Sequence, residues 1–178
     1  MRREDLDHVV KAASDISGDP EIVVVGSQAI LGQHPDAPPS LLVSIEADVY
    51  PRNHPDRADA IDGAIGDGSR FHETYGYYAH GVGPETPIAP AGWEERLVPI
   101  GLTAIRPRGG TVTAWCMDAH DLVLAKLAAG RAHDMRFAED VLRFGLVDRE
   151  QLRLGVDLMP ATHRELVGDR LTTVLTGI

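Results

Sequence analysis

Two acidic side chains lie two residues apart in a stretch of β-forming sequence. In Ser44-Ile45-Glu46-Ala47-Asp48-Val49 polar and apolar residues alternate, so Glu46 and Asp48 project from one face, about 6.5 Å apart along a strand. Such a pair can hold Mg²⁺, a hard cation that prefers oxygen ligands and neutralises charge on bound phosphates. The alternative is a solvated polar face of an edge strand, although strands are depleted in Asp and Glu.

A glycine turn supplies a second candidate group. The β-branched run Glu21-Ile22-Val23-Val24-Val25 predicts a buried strand, and Gly26-Ser27 then leads into a short helix at 28–31. Glycine lets backbone approach a ligand closely, and the first N–H groups of a helix attract anions such as phosphate. The alternative is a plain tight turn. This is not a Walker loop, because no Gly-Lys-Ser/Thr sequence follows.

The third group lies in the segment DLVLAKLAAGRAHD, residues 121–134. Lys126 is one of two lysines against 15 arginines, and it interrupts an otherwise apolar helix. Its compact charge suits a triphosphate, whereas the alternative is a surface lysine that lays its stem on apolar neighbours. Arg131 and Asp134 either belong to the same site or form an i, i+3 pair on the helix surface.

The remaining reactive side chains show no metal-binding or nucleophilic pattern. His72, Glu73 and His80 match no compact zinc spacing, so we do not predict a metal site there. Cys116 is the only cysteine, which excludes an internal disulfide and a multi-cysteine zinc site. We expect it to be a buried structural thiol.

Charge limits the range of partners. The 178 residues carry a formal net charge of −10, with 14 carboxylates against 6 cations in residues 1–80 and 13 against 11 in residues 81–178. A broadly basic nucleic-acid coat is excluded, and a polyanion would meet least repulsion in the second half, where Arg96, Arg106 and Arg108 cluster. The chain lacks an apolar run of membrane-spanning length and a signal-peptide pattern at its N-terminus, so we expect a soluble, cytoplasmic protein that does not bind membranes.

Periodicity and turn residues predict the elements that position these groups within a single domain, 1–178. Residues 20–117 are expected to form the core and 118–178 a helical C-terminal part. Asp118 is a predicted N-cap, with Asp121 placed for a capping box. The predicted helices are 4–16, 28–31, 56–65, 118–129, 133–144 and one or two small ones in 148–178; the predicted strands are 21–25, 41–50, 71–78, 96–105 and 111–116.

The order of these motifs resembles the nucleotidyltransferase superfamily. A strand ending in Gly-Ser (VVVGSQAILG) precedes a carboxylate-x-carboxylate strand (SIEADVYP), and the later DLVLAKLAAGRAHD looks like the Lys and Arg-x-Lys-Asp block of AbiEii-like minimal nucleotidyltransferases. Members of that group include toxins of bacterial toxin–antitoxin systems. The resemblance covers about residues 20–145 and implies an α/β fold: a mixed β-sheet flanked by helices, with a small helical C-terminal tail.

The resemblance also implies roles for the candidate residues. Gly26 and Ser27 would cradle the triphosphate of an NTP, Glu46 and Asp48 would bind Mg²⁺, and Lys126 would contact phosphate. Arg131 and Asp134 would complete the site. The reaction would transfer a nucleotide to an acceptor such as RNA or a tRNA 3′ end, and a cognate antitoxin would be a protein partner.

The sequence departs from the superfamily pattern at several points. Glu46 stands where Asp is usual, the gap from Gly26 is longer, and His133 replaces the usual Lys of Arg-x-Lys-Asp. Spacing identifies no third metal-binding carboxylate, and the candidates are Glu73, Glu94 and Asp134. Two alternatives therefore stay open: a degenerate member that binds nucleotide or a protein without catalysis, and a transferase acting on a small, antibiotic-like hydroxyl compound.

Overall fold

The computed structural model describes residues 1–103 and 110–178, and within them five strands form one mixed sheet. The strands are β1 (Glu21–Val25), β2 (Glu46–Pro51), β3 (Tyr78–Gly81), β4 (Val98–Thr103) and β5 (Thr111–Cys116). The sheet order is β3-β2-β1-β5-β4. The central strand, β1, pairs antiparallel with β2 and parallel with β5, while β2–β3 is parallel and β4–β5 antiparallel.

Helices flank this sheet, and the helices that follow β5 also contact one another. The helices of the described residues are α1 (Arg3–Ser17), α2 (Ala58–Ile65), α3 (Arg70–Tyr75), α4 (Ala119–Ala129), α5 (Ala132–Arg143), α6 (Arg149–Asp157) and α7 (Ala161–Gly177), with 3₁₀ turns at Ser27–Gly32, Pro39–Leu41, Pro55–Arg57 and Trp93–Arg96. Helices α1 and α2 pack on the sheet, whereas α4 contacts α5, α6 and α7. This arrangement confirms the predicted fold class.

Strand β1 lies at the centre of the core. Its residues from Ile22 to Val25 are at most 2% exposed, as a continuous β-branched run predicts for a strand covered on both faces. In β2, Ala47 and Val49 are fully buried, and the alternating Glu46 and Asp48 are only partly so. The alternation predicted for these four residues is therefore confirmed, and it directs both carboxylates away from the core.

The second strand is shorter than the predicted range 41–50. Pairing begins at residue 46, and the segment before it contains a 3₁₀ turn. Val43 and Ile45 are 77% and 45% exposed because they precede the paired region. A β-branched pattern alone did not show where partner strands begin.

The predicted strand at 71–78 is wrong. Its first part is helix α3, where the Ser69 side chain accepts a hydrogen bond from the His72 N–H and Gly76 ends the helix in the left-handed conformation. Only Tyr78 begins a strand, β3. The cap residues at both ends outweigh the β propensity of the aromatic side chains between them.

The other expectations have mixed outcomes. Asp118 caps α4 as predicted, by accepting the His120 N–H, but Asp121 takes no part in a capping box and instead binds Arg96. Gly130 ends α4, and α5 follows as a separate helix. The C-terminal region contains two helices. Of the predicted strand 96–105, β4 covers residues 98–103, while Arg96 lies in the preceding 3₁₀ turn. The cluster residues Arg106 and Arg108 lie outside the described residues.

Two further findings concern Cys116 and the apolar character of the helices. Cys116 is fully buried, and burial raises the pKa of its thiol to about 12, which matches the expected structural role. Across the described ranges, no helix is both long and apolar enough to cross a membrane.

Candidate active site

Two parallel strands with the same residue pattern form one side of the site. Glu46-Ala47-Asp48 of β2 lies beside Tyr78-Ala79-His80 of β3, with Glu46 opposite Tyr78 and Asp48 opposite His80. Both alanines are fully buried, so the four functional side chains point away from the core on a common face. The register of this pair brings two carboxylates, a phenol and an imidazole together.

These side chains contact one another directly. The Tyr78 hydroxyl donates a hydrogen bond of 2.7 Å to Oε2 of Glu46, and this bond raises the pKa of Tyr78 to about 12. His80 Nδ1 lies 3.0 Å from Oδ1 of Asp48 and 3.9 Å from Oε1 of Glu46. Tyr78 therefore orients Glu46, and His80 forms a hydrogen bond with Asp48 while lying close to Glu46.

Gly26 lies directly against Asp48. The glycine follows β1 with a φ of +66°, and a Cβ built on it would overlap the Asp48 carboxylate. Because Val25 pairs with Asp48, the end of β1 fixes this approach. A side chain at position 26 would meet both a steric and a conformational penalty.

Asp48 has an electrostatic environment that favours a bound cation. Burial raises the pKa of its carboxyl above the usual range, the negative charge of Glu46 raises it further, and His80 and Lys126 only partly offset these effects. Two partly buried carboxylates side by side repel each other unless positive charge lies between them. A metal ion would supply that charge.

Opposite the strands, a basic junction is formed by Lys126, Arg131 and Asp134 where α4 meets α5. Lys126 Nζ lies 3.0 Å from Oδ1 of Asp134, and Arg131 Nε donates a 2.6 Å hydrogen bond to Oδ2. Lys126 is 9% exposed, so it is not a surface lysine. The i, i+3 pair of Arg131 and Asp134 is present, but its carboxylate is fully buried while the Arg131 side chain is 64% exposed. Burial tends to raise the pKa of Asp134, but the hydrogen bonds and charges of Arg131 and Lys126 outweigh it and hold the pKa below its usual range.

One cleft joins the strands to the basic junction. It encloses about 130 Å³, and its lining includes Gly26, Asp48, Lys126 and Arg131. Four of the predicted site residues therefore meet, although more than 70 residues separate Asp48 from Lys126. Ser27 instead lines a neighbouring hollow with His133 and Arg136.

Asp134 lies behind the cleft rather than in it. Its two carboxylate oxygens are taken by Lys126 and Arg131, and its side chain has no exposed surface. The geometry supports a positioning role for Asp134, which fixes the two cations, rather than contact with a substrate.

The sequence prediction missed three contributors to the site. The sequence did not predict His80 as a metal ligand or Tyr78 as a hydrogen-bond partner of Glu46. Both roles depend on the pairing of β3 with β2. The repeated polar-Ala-polar pattern was the available signal. The third contributor is the loop segment Thr86–Ile88, which lines the cleft.

The donor atoms fit a divalent metal ion. Glu46, Asp48 and His80 each offer one ligand atom, and these atoms lie within 4.8 Å of one another. Of the proposed third carboxylates, Glu73 and Glu94 are exposed and Asp134 is engaged by cations. In the described part of the chain, the third potential ligand is thus a histidine rather than a carboxylate.

The fold is consistent with a nucleotidyltransferase, as the order of motifs indicated. Residues 4–161 match the family described as nucleotidyltransferase of unknown function (DUF6036). The chain belongs to this family, which supports nucleotidyl transfer as its general function and a nucleotide as its substrate. Comparison with curated proteins and with solved structures finds no significant match.

Proposed function

We propose that this protein transfers a nucleotide from an NTP to an acceptor hydroxyl in a Mg²⁺-dependent reaction. The observation that carries the proposal is the single cleft in which Asp48 on one side faces Lys126 and Arg131 on the other. Carboxylates that hold a cation and basic groups that bind phosphate are the two halves of a phosphoryl-transfer site. The family membership of residues 4–161 supports the same chemistry.

Each residue has a definite task in this reaction. Glu46 and Asp48 would hold Mg²⁺, which supplies charge neutralisation at the phosphates when bound. Lys126 and Arg131 bind phosphate oxygens, and Gly26 leaves room for the Asp48 carboxylate. The acceptor oxygen forms a bond to the α-phosphorus while the bond from that phosphorus to the bridging oxygen breaks. Pyrophosphate then leaves, and the hydroxyl proton passes to solvent.

The cleft volume indicates which end of the NTP enters. About 130 Å³ is well below the roughly 300 Å³ at which pockets for whole small molecules begin. The cleft therefore accommodates the phosphates beside the cations, and the nucleoside lies towards the open side. This orientation places the phosphates between Asp48 and Lys126.

The proposal also includes a biological setting. The acceptor is RNA, with a tRNA 3′ end as the leading example, and the protein acts in the cytoplasm as an AbiEii-like toxin with a cognate antitoxin as partner. The order of the sequence motifs supports this setting, and the nearly balanced charge of residues 81–178 permits contact with a polyanion. Arg96 is already held by a bidentate ion pair with Asp121, so RNA contacts would involve other cations.

Pyrophosphate release provides a direct test, because it reports transfer whatever the acceptor is. Protein is incubated with each labelled NTP and Mg²⁺, with and without total RNA. We expect pyrophosphate and labelled RNA from the wild-type protein. Asp48→Asn should reduce the rate by at least about a hundredfold, since metal binding and phosphate charge neutralisation are both impaired.

Glu73→Gln is the matched control, because this carboxylate is exposed on α3 and lies outside the cleft. It should retain the wild-type rate. Pyrophosphate release without labelled RNA would exclude RNA as the acceptor, because the nucleotide is then transferred to a small hydroxyl compound in the mixture or to water. NTP binding without release in any mixture would favour the degenerate form, and calorimetry that shows no NTP binding with Mg²⁺ would overturn the proposal.

A further inference from the structure

We propose that His80 is the third protein ligand of the metal site and that its imidazole gives the site a preference for Mn²⁺ over Mg²⁺. This inference rests on the proposed function, since it refines the metal site to which Asp48 of the cleft belongs. It starts from the position of His80 on β3, directly opposite Asp48 in the parallel ladder.

The spacing of the ligand atoms fits one ion. In an octahedral site with bonds of about 2.1 Å, adjacent ligands lie about 3.0 Å apart and opposite ligands about 4.2 Å apart. His80 Nδ1 lies 3.0 Å from the nearest Asp48 oxygen and 3.9 Å from the nearest Glu46 oxygen. The first separation equals that of adjacent ligands and the second is close to that of opposite ligands, so small side-chain movements suffice to surround a metal.

The supporting contacts hold the three ligands in place. Glu46 is oriented by the Tyr78 hydroxyl, and Asp48 is held against Gly26. Ligands whose orientation is fixed by neighbouring groups bind metal more tightly than free ones. Glu46, Asp48 and His80 are 37%, 25% and 51% exposed in their side chains, so an ion can reach them from solvent while keeping some of its water.

The identity of the third ligand determines the metal preference. Mg²⁺ prefers oxygen ligands, whereas imidazole nitrogen suits first-row transition metals, and carboxylates also suit Mn²⁺. A site of two carboxylates and one imidazole therefore binds Mn²⁺ more tightly than Mg²⁺, although abundant Mg²⁺ can still occupy it. A third carboxylate in place of His80 would weaken this preference.

Electron paramagnetic resonance of Mn²⁺ tests the assignment without any measurement of activity. Protein without nucleotide is titrated with Mn²⁺, and pulsed measurements detect nitrogen coordinated to the bound ion. We expect a nitrogen coupling in the wild-type protein. His80→Asn should lose the coupling and bind Mn²⁺ at least about tenfold more weakly.

Two further variants complete the experiment. His80→Asp keeps a third oxygen ligand, so it should bind Mn²⁺ without nitrogen coupling and allow Mg²⁺ to compete more effectively. His54→Asn changes an exposed histidine beyond the other end of β2 and should behave like the wild-type protein. Melting curves of all variants verify that each is folded.

The outcomes separate this inference from the proposed function. Mn²⁺ bound to the wild-type protein without nitrogen coupling, or coupling that persists in His80→Asn, would overturn the role of His80 alone. Failure to bind Mn²⁺ or Mg²⁺, even with an NTP present, would overturn the metal site and the metal-dependent reaction together. Coupling that is lost only in the His80 variants supports the proposal.

Discussion

Gly26 determines how close Asp48 comes to the end of β1. The glycine adopts a positive φ, and the space that a Cβ would fill is already taken by the Asp48 carboxylate. Any other residue would pay a conformational penalty and would also push the carboxylate aside. These two effects can be separated by experiment, because Gly68 also has a positive φ but has no side chain close to it.

We expect Gly26→Ala to lose metal binding out of proportion to its loss of stability. Displacement of Asp48 should weaken Mn²⁺ binding at least about tenfold, and the positive φ should lower the free energy of unfolding by about 1 kcal/mol. Mn²⁺ titration and urea denaturation measure the two effects.

Gly68→Ala is the control for this prediction. Gly68 has a φ of +70°, but a Cβ there would meet no heavy atom within 4 Å. The variant should lose about 1 kcal/mol of stability, no more than Gly26→Ala loses, and keep wild-type Mn²⁺ affinity. Equal metal affinities in the two variants would contradict the proposed contact with Asp48.

Residue types alone predicted part of the site. Lys126 was identifiable because a lone lysine among Leu and Ala needs a partner, and the structure shows that partner to be Asp134. His80 was not identifiable, because its nearness to Asp48 depends on the register between β2 and β3. Cross-strand register is set by tertiary packing, which a single sequence does not display.

At the level of elements, the basic junction depends on the break between α4 and α5. Gly130 ends α4 with a φ of +66°, and Arg131 then leads into α5. Lys126 on one helix and Arg131 before the next can therefore both reach Asp134. A continuous helix over the same residues would lack this turn between the two cations.

Asp134→Asn should destabilise the protein most strongly near neutral pH. The substitution leaves Lys126 and Arg131 without their buried anion, which typically costs about 3 kcal/mol. The pKa of Asp134 is lower in the folded state than in the unfolded chain. Its ionised carboxylate therefore stabilises the protein fully above the ordinary pKa of about 3.9, and this stabilisation is lost as the pH falls through the lowered pKa of the folded state. The difference in the free energy of unfolding between Asp134→Asn and the wild-type protein should thus become smaller below about pH 4.

Urea denaturation at pH 7 and pH 3 tests this prediction, with Asp140→Asn as its control. Asp140 lies on the same helix and pairs only loosely with Arg143, at 3.7 Å. Its loss should cost about 0.5 kcal/mol or less. Equal stabilities of the two variants at pH 7 would show that the buried pairing contributes little.

The elements differ in how well the sequence predicted them. Strand β1 and helices α1, α4 and α5 were close to their observed bounds, because a continuous apolar run or a helical period is a local signal. The strand predicted at 41–50 began too early, since its start depends on where partner strands begin. Segment 71–78 was misassigned because aromatic β propensity was given more weight than the Ser69 and Gly76 caps.

At the scale of the whole molecule, helix α7 lies almost entirely beyond the part matched by the family model. The match ends at residue 161, where α7 begins. Yet Arg170 of this helix donates hydrogen bonds to the carbonyl oxygens of Leu127 and Ala128, at 2.6 and 3.0 Å. It thereby caps the C-terminal end of the helix that carries Lys126.

Arg170→Ala should weaken both stability and nucleotide binding. Loss of a charged donor to two helix-end carbonyls should lower the free energy of unfolding by about 2 kcal/mol. A frayed end of α4 should misplace the phosphate-binding cations, so we expect the KM for NTP to rise more than kcat falls. Thermal unfolding and steady-state kinetics measure the two effects.

Arg164→Ala controls for a general effect of altering α7. Arg164 lies on the same helix but donates to the Met159 carbonyl oxygen, away from α4. This variant should keep the wild-type KM. A KM unchanged in both variants would contradict a link between α7 and the cleft.

In the proposed reaction, the contact between Arg170 and α4 would make nucleotide affinity depend on the position of α7. Gly130 leaves the space that the Arg170 guanidinium occupies, so the two helices meet at the point where α4 turns towards Arg131. A molecule that bound α7 and moved Arg170 away from α4 would make Lys126 and Arg131 less ordered without entering the cleft. Inhibition of that kind would leave metal binding by the strands intact, because Glu46, Asp48 and His80 are held on the opposite side.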